Sequence, residues 1–345
     1  MDQKKKIAYS ILELAVLPKG SSIPQVYNNT VALAQKAETL GFERIWFAEH
    51  HNMPAIASSA PEILIGHVAQ STKTIRVGSG GVMLPNHSPF VVAEKFGTLG
   101  NLFPGRIDLG LGRAPGTDQQ TAHAINPGFI GATHSFPNDI EKIQTYFSPE
   151  NKSAKIRVTL AEGVDVPLYI LGSSTSSAHL AAAKGLPYAF ASHFATAQLF
   201  EALRIYREKF QPSKVLEKPY TMAGINVIIA DTDEEAERLY TSALRLVINI
   251  LSGTPSEHIE PPTKMSTSLQ EVRQHPSIMQ MTRYSFIGSK NTVKKQVQDF
   301  IDETHVDEVI VSSIMYSPED RIKSMEIFAE IMMEINEGSK VPVKS

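Results

Sequence analysis

The chain has 345 residues, 42% hydrophobic and 20% charged, with 21 Gly, 21 Pro and no Cys, a globular composition long enough for one large domain or two average ones. A formal net charge of −3 offers no basic stripe for nucleic acid, and the lack of Cys removes disulfides, thiolate metal sites and cysteine nucleophiles, which fits a reducing cytoplasm. Lys4-Lys5-Lys6 ahead of the apolar run Ile7 to Leu17 has the outline of a signal peptide, but Glu13 interrupts it and no small-residue cleavage site follows. No stretch reaches the roughly 20 apolar residues of a membrane span, so a cytoplasmic protein without membrane contact is expected.

Short apolar runs rich in β-formers alternate with segments of helical period, the pattern of parallel βα units. In chain order the predicted elements begin with a strand at Ala8 to Val16, a helix at Val26 to Leu40, a strand at Arg44 to Ala48 and a helix at Pro61 to Gln70. A strand at Ile75 to Leu84, a helix at Pro89 to Leu102 and a strand at Arg106 to Leu111 follow. After a long gap come a strand at Leu168 to Leu171, a helix at Ser177 to Lys184, a strand at Tyr188 to Ala191 and a helix at Thr196 to Phe210. A strand at Gly224 to Ala230 and a helix at Asp233 to Asn249 precede the final helix, strand and helix at Asn291 to Thr304, Glu308 to Ser312 and Asp320 to Ile335. About eight such pairs predict an α/β fold, a (β/α)8 TIM barrel over residues 1–345 as a single domain. Two stretches break the rhythm, 117–166 and 251–284, and are expected as insertions, either functional lids and binding loops or solvated excursions.

In such a barrel the active site forms at the C-terminal ends of the strands. Strand two ends in Glu49-His50-His51, strand three in Gly80-Gly81, strand four in Gly110-Leu111-Gly112-Arg113, and strand five in Gly172-Ser173-Ser174-Thr175-Ser176-Ser177. The hydroxyls of Ser173, Ser174 and Ser177 at a helix start favour an anion, phosphate above all; an ordinary N-cap is the other reading. Arg113 at the neighbouring strand end suits a phosphate fork, or a surface ion pair. Gly110, Gly112 and Gly116 are spaced G-x-G-x-x-x-G, which is not a dinucleotide fingerprint; they and Gly80-Gly81 permit a flat ligand to approach the backbone, or mark a bulge or barrel corner. His50 and His51 are candidates for a general base or for holding loop carbonyls, and His193 is ambiguous in the same way. Metal is disfavoured, because adjacent strand residues point to opposite sides and no H-x-H or H-E-x-x-H supplements them.

The set AEHH at 48–51, RVGSGGVMLPNHSP at 76–89, PGRIDLGLGRAPGTD at 104–118 and LGSSTSSAHLAAAKGLPYAFASHF at 171–194 resembles the bacterial-luciferase-like, flavin-dependent monooxygenases, and within them the homodimeric-type relatives of unassigned substrate. The resemblance spans about residues 7 to 335 and rests on the motifs as a set. It implies FMN, used as FMNH2 from a separate flavin reductase, with O2 and a small organic substrate as the other reactants, and a homodimer. By position, Arg113 would grip the FMN phosphate with Ser173, Ser174 and Ser177 on its other side, and Gly80-Gly81 would carry a non-proline cis peptide under the flavin ring. His50 matches the family's active-site base, with His51 as its partner and Glu49 orienting either one. The 251–284 insertion falls where the family has a mobile lid that excludes water. The reactive-thiol position of the light-emitting subunit is Gly112 here, which leaves monooxygenase chemistry possible. Two competing readings are an F420-dependent oxidoreductase of the same fold and a non-catalytic flavin-binding protein.

Overall fold

The computed structural model describes residues 6–338; Lys4 and Lys5 of the basic start lie outside them. Nine strands form one all-parallel sheet: β1 (Ala8–Glu13), β2 (Arg44–Phe47), β3 (Arg76–Met83), β4 (Ile107–Gly112), β5 (Leu168–Gly172), β6 (Tyr188–Phe190), β7 (Thr221–Ile229), β8 (Ser285–Gly288) and β9 (Glu308–Ser312). β1 to β7 pair in sequence, β9 pairs with both β7 and β1, and the ring therefore closes with eight strands. The eight predicted strands are those of the ring. β8 is additional: Asn226 of β7 pairs with Ser312 of β9 on one edge and with Ser285 on the other, so β8 continues the edge above β6.

Both faces of the ring are buried, which is why its strands read as nearly continuous apolar runs. Ile11, Ile45, Phe47, Val77, Leu109 and Ile170 pack outward under the helices, while Leu12, Trp46, Tyr169, Met222 and Ile310 fill the interior. The surrounding helices are α1 (Ile23–Thr39), α2 (Pro61–Ser71), α3 (Pro89–Leu102), α4 (Gln119–Ile125), α5 (Phe129–Phe147), α6 (Thr175–Lys184), α7 (Leu199–Lys209), α8 (Asp233–Ser252), α9 (Thr267–Arg273), α10 (Pro276–Met281), α11 (Lys290–Thr304) and α12 (Pro318–Gly338). Gly41, just past α1, and Gly185, at the end of α6, have φ of +78° and +59°, the left-handed conformation of a helix stop.

The stretch 117–166 is more regular than its sequence suggests. It holds α4 and α5, and α5 buries Phe136, Ile140, Ile143 and Phe147 at helical spacing despite Pro137 within it. It supplies the crossover from β4 to β5. The 251–284 stretch holds α9 and α10 and is pinned early: the Ile259 N–H donates to Leu17 O at 2.8 Å and Lys19 N–H donates to Ile259 O at 2.9 Å. Further on, Thr196 Oγ1 donates to Gln280 O at 2.7 Å, so the segment spans the top of the barrel between the β1 and β6 loops.

The opposite end of the barrel is closed by a buried polar network at the strand starts. Arg44 Nε donates to Glu308 Oε1 at 2.9 Å and its Nη1 to Asp108 Oδ2 at 2.8 Å and Tyr169 Oη at 2.7 Å. Arg76 Nε and Trp46 Nε1 donate to the two Asp108 oxygens at 2.9 and 3.0 Å. Tyr220 Oη donates to Glu308 Oε2 at 2.6 Å, and Ser10 Oγ to Oε1.

Candidate active site

The end of β2 places Glu49 in full burial, an expensive position for a carboxylate unless it is bonded. Its Oε1 accepts from His51 Nε2 at 2.9 Å, His87 Nε2 at 2.8 Å and Asn86 Nδ2 at 3.1 Å, and its Oε2 from the Met83 N–H at 2.9 Å. Burial raises the carboxyl's pKa, but the bonds from His51, His87 and Met83 outweigh it and hold the group at about 2. Both rings that bond the carboxylate through Nε2 must carry their proton there. Glu49 thus orients His51 and, in addition, His87. It does not bond His50.

His50 is held separately. Its main-chain N–H donates to Ser58 O at 2.9 Å, and burial lowers its pKa against the opposing influence of the nearby Gly116 carbonyl, which favours the neutral imidazole. The β4 loop folds back to reach it. Gly116 makes that approach with φ +68°, and a Cβ there would stand 2.4 Å from Glu49 O, so no other residue fits without displacement.

A phosphate site needs uncommitted donors. Leu111 of β4 pairs with Ile170 of β5, so two residues on, Arg113 stands level with Gly172 and the start of α6. Arg113 is exposed and, among the described residues, has neither an ion pair nor a hydrogen bond. Ser174 is the N-cap of α6, but its hydroxyl caps nothing, and Ser173 is exposed. Ser177 differs from the expectation. Its Oγ donates to Ser174 O at 2.7 Å and meets Tyr188 Oη at 3.1 Å, so the hydroxyl braces the turn and only its backbone N–H faces the helix start.

Gly80-Gly81 is a non-proline cis peptide, as the resemblance implies, and the pairing of β3 with β4 shifts register between Ser79 and Val82. These glycines also have a packing reason. A Cβ on Gly80 would lie 2.9 Å from Leu12 Cδ1 and Trp46 Cβ, one on Gly81 2.8 Å from Gly110 O, and one on Gly110 2.2 Å from Ser79 O. β3 and β4 therefore approach more closely than side chains allow. The free Arg113 and the hydroxyls of Ser173 and Ser174, on the next strand ends, suit a phosphate.

Sequence reasoning missed His87 and Asn86. Both lie in the PNHSP run that follows β3, and their role shows only once β3 stands beside β2.

A family model described as luciferase-like monooxygenase matches residues 9–308. A protein of Escherichia coli strain K12 named luciferase-like monooxygenase is 43% identical over 331 residues, covering 96% of this chain and 98% of its own. The crystal structure of apo-MsnO8 superposes with a TM-score of 0.86 at 32% identity, covering 95% of this chain and 98% of that one. At lower identity the same fold is found in the oxygenating constituent of 3,6-diketocamphane monooxygenase of Pseudomonas putida in complex with FMN, with TM-score 0.72, 18% identity and 95% and 98% of the two chains covered. An F420-dependent secondary alcohol dehydrogenase shares it too, with TM-score 0.68, 16% identity and 96% and 99% covered.

Proposed function

The chain belongs to the luciferase-like monooxygenase family, and from that premise we propose that it binds FMN, receives it as FMNH2 from a separate flavin reductase in the cytoplasm, and uses O2 to oxygenate a small organic substrate. The observation that carries this reading is Arg113, an unpaired cation level with the unused hydroxyls of Ser173 and Ser174 at the start of α6. A doubly charged phosphate satisfies all three at once.

Bound reduced flavin supplies the electrons for oxygen chemistry. The chain's own residues do the rest. Gly80-Gly81 seats the ring, and His50, which burial favours in its neutral form, offers a ring nitrogen as a proton acceptor. Glu49 holds His51 and His87 in place beside it. The 251–284 segment covers the mouth and excludes water, which protects reactive species from solvent.

Anaerobic titration with FMNH2 followed by a rapid O2 jump tests the reading: bound flavin should oxidise with a rate and spectrum distinct from free FMNH2. No binding, or oxidation at the free rate, overturns it. Competition between FMN and F420 separates the monooxygenase from the hydride-transfer enzymes of the same fold. A His50→Ala variant that binds flavin and leaves the oxygen reaction unchanged would favour a flavin-storage protein.

We also propose a homodimer through α2 and α3, each of which carries a large apolar side chain in the open, Ile63 and Leu102 at 69% and 63% exposed. Light scattering should give a dimer at micromolar concentration and a monomer for Ile63→Asp combined with Leu102→Asp. A monomeric wild type refutes it.

A further inference from the structure

Two imidazoles follow strands of the ring at its upper end. His50 follows β2 and His193 follows β6, strands that stand on opposite sides of the barrel, yet the two rings are close enough for charge on one to oppose charge on the other. Burial lowers the His50 pKa, and a neutral imidazole keeps one ring nitrogen as a bare lone pair. His193 is complementary. Its Nδ1 is buried without a partner, directly over Gly224, where a Cβ would stand 2.4 Å from that nitrogen. Asn226 Nδ2 donates to His193 O at 2.6 Å, and the Phe194 ring packs edge-on at 4.9 Å, so both the main chain and the ring plane are fixed.

A neutral imidazole has one proton to place. On the enclosed Nδ1 it would be a buried donor with no acceptor, an arrangement folded proteins avoid. On Nε2 it lies at the accessible edge of the ring, which is only partly covered.

We propose that His193 is a substrate-binding residue, presenting Nε2–H as a neutral hydrogen-bond donor to the acceptor oxygen of an uncharged carbonyl compound, opposite the basic nitrogen of His50. The inference rests on the monooxygenase reading of the barrel mouth. Neutral imidazole polarises a carbonyl without bringing a counter-charge, so a ketone, ester or amide gains here what a carboxylate does not. Burial and the neighbouring His50 lower the His193 pKa to about 4, which keeps the ring neutral under ordinary conditions.

The test uses the whole protein, uniformly labelled with 15N-histidine, with oxidised FMN added. Long-range proton–nitrogen NMR at pH 7.5 reads the tautomer, and titration with cyclohexanone, methylcyclohexane and cyclohexanecarboxylate reads recognition. We expect His193 as the neutral Nε2–H form and a shift of that nitrogen by cyclohexanone alone. A His193→Phe variant should weaken cyclohexanone about three- to tenfold, the scale of one neutral hydrogen bond, and His193→Asn, which keeps a donor, should lose less; FMN affinity should be unchanged in both. A charged or Nδ1–H ring, carboxylate binding as tight as ketone binding, or a wild-type ketone affinity in His193→Phe overturns the proposal. The wild-type tautomer needs no variant to fold. If FMN fails to bind while the ketone results hold, the flavin reading fails and the role of His193 stands.

Discussion

The lower end of the barrel is finished and the upper end is not. Below, Arg44 and Arg76 share Asp108, Glu308 takes Arg44, Tyr220 and Ser10, and Tyr169 and Trp46 use the remaining valences. Above, among the described residues, Arg113 has no partner, the Ser174 hydroxyl caps nothing and His193 Nδ1 is buried alone. Both ends carry polar side chains at the ends of strands of one ring. What separates them is completeness, and on the reading proposed above the unfilled valences are the ones a ligand takes, in keeping with the division of such barrels into a stabilising and a reactive face.

The strongest way to break this comparison is Asp108→Ala. It leaves the buried Arg44 guanidinium with Glu308 alone and strips half-buried Arg76 of its carboxylate, and removing one partner of a buried ion pair costs about 3–5 kcal/mol. Chemical denaturation should show that loss, while FMN affinity of the folded protein stays the same. A cost under about 1 kcal/mol would show the lower network to be dispensable. Arg113→Ala should do the reverse: stability within about 0.5 kcal/mol of wild type, as for a surface change without partners, and FMN binding weaker by roughly ten- to hundredfold, the range of charge-assisted hydrogen bonds. Calorimetric titration decides it.

Titration sharpens the contrast further. His193 is lowered to about 4 from roughly 6.5 in the unfolded chain, so between those values the unfolded state binds more protons. Its stability contribution is complete above pH 6.5 and is lost as pH falls towards 4. Glu49, held at about 2 against roughly 4.3 unfolded, contributes above pH 4.3 and loses its share between there and pH 2. Denaturation midpoints followed from pH 7 to 3 should fall less steeply in His193→Asn over the first window; an unchanged slope would mean that the ring is already charged in the folded state. The smallest effect is expected from Ser177→Ala, whose hydroxyl bonds Ser174 O: about 1 kcal/mol of stability, with FMN affinity within twofold. A larger affinity loss would return Ser177 to the phosphate site.

The ring of strands was legible because burial on both faces writes each strand as an unbroken apolar run, and α2, α3 and α6 were legible from Pro and Gly at their ends. α5 was not, because Gly128, Gly131 and Pro137 dilute its pattern although Phe136, Ile140, Ile143 and Phe147 keep the period. β8 is four residues, Ser-Phe-Ile-Gly, too short to stand out beside a helix start. At the site, Glu49, His50, Arg113 and the serines stood out because each follows a strand. The partners of Glu49 did not, since Asn86 and His87 are more than thirty residues away and read as loop. Arg44, Asp108 and Glu308 looked like ordinary charges flanking strands; only closure of the ring turns them inward together.

The crossing segment has one further consequence. It is attached at both ends by main-chain pairing, Ile259 with Leu17 and Lys19 on one side and, on the other, β8 along β7 with the Asn226 N–H donating to Tyr284 O at 2.9 Å. Backbone bonds are indifferent to which side chains lie between them. Beyond those main-chain ties only a few side chains anchor residues 260–284, chiefly buried Ile278 and the Arg273–Glu237 ion pair, so a chimera carrying a relative's corresponding stretch with those contacts matched should keep the same barrel.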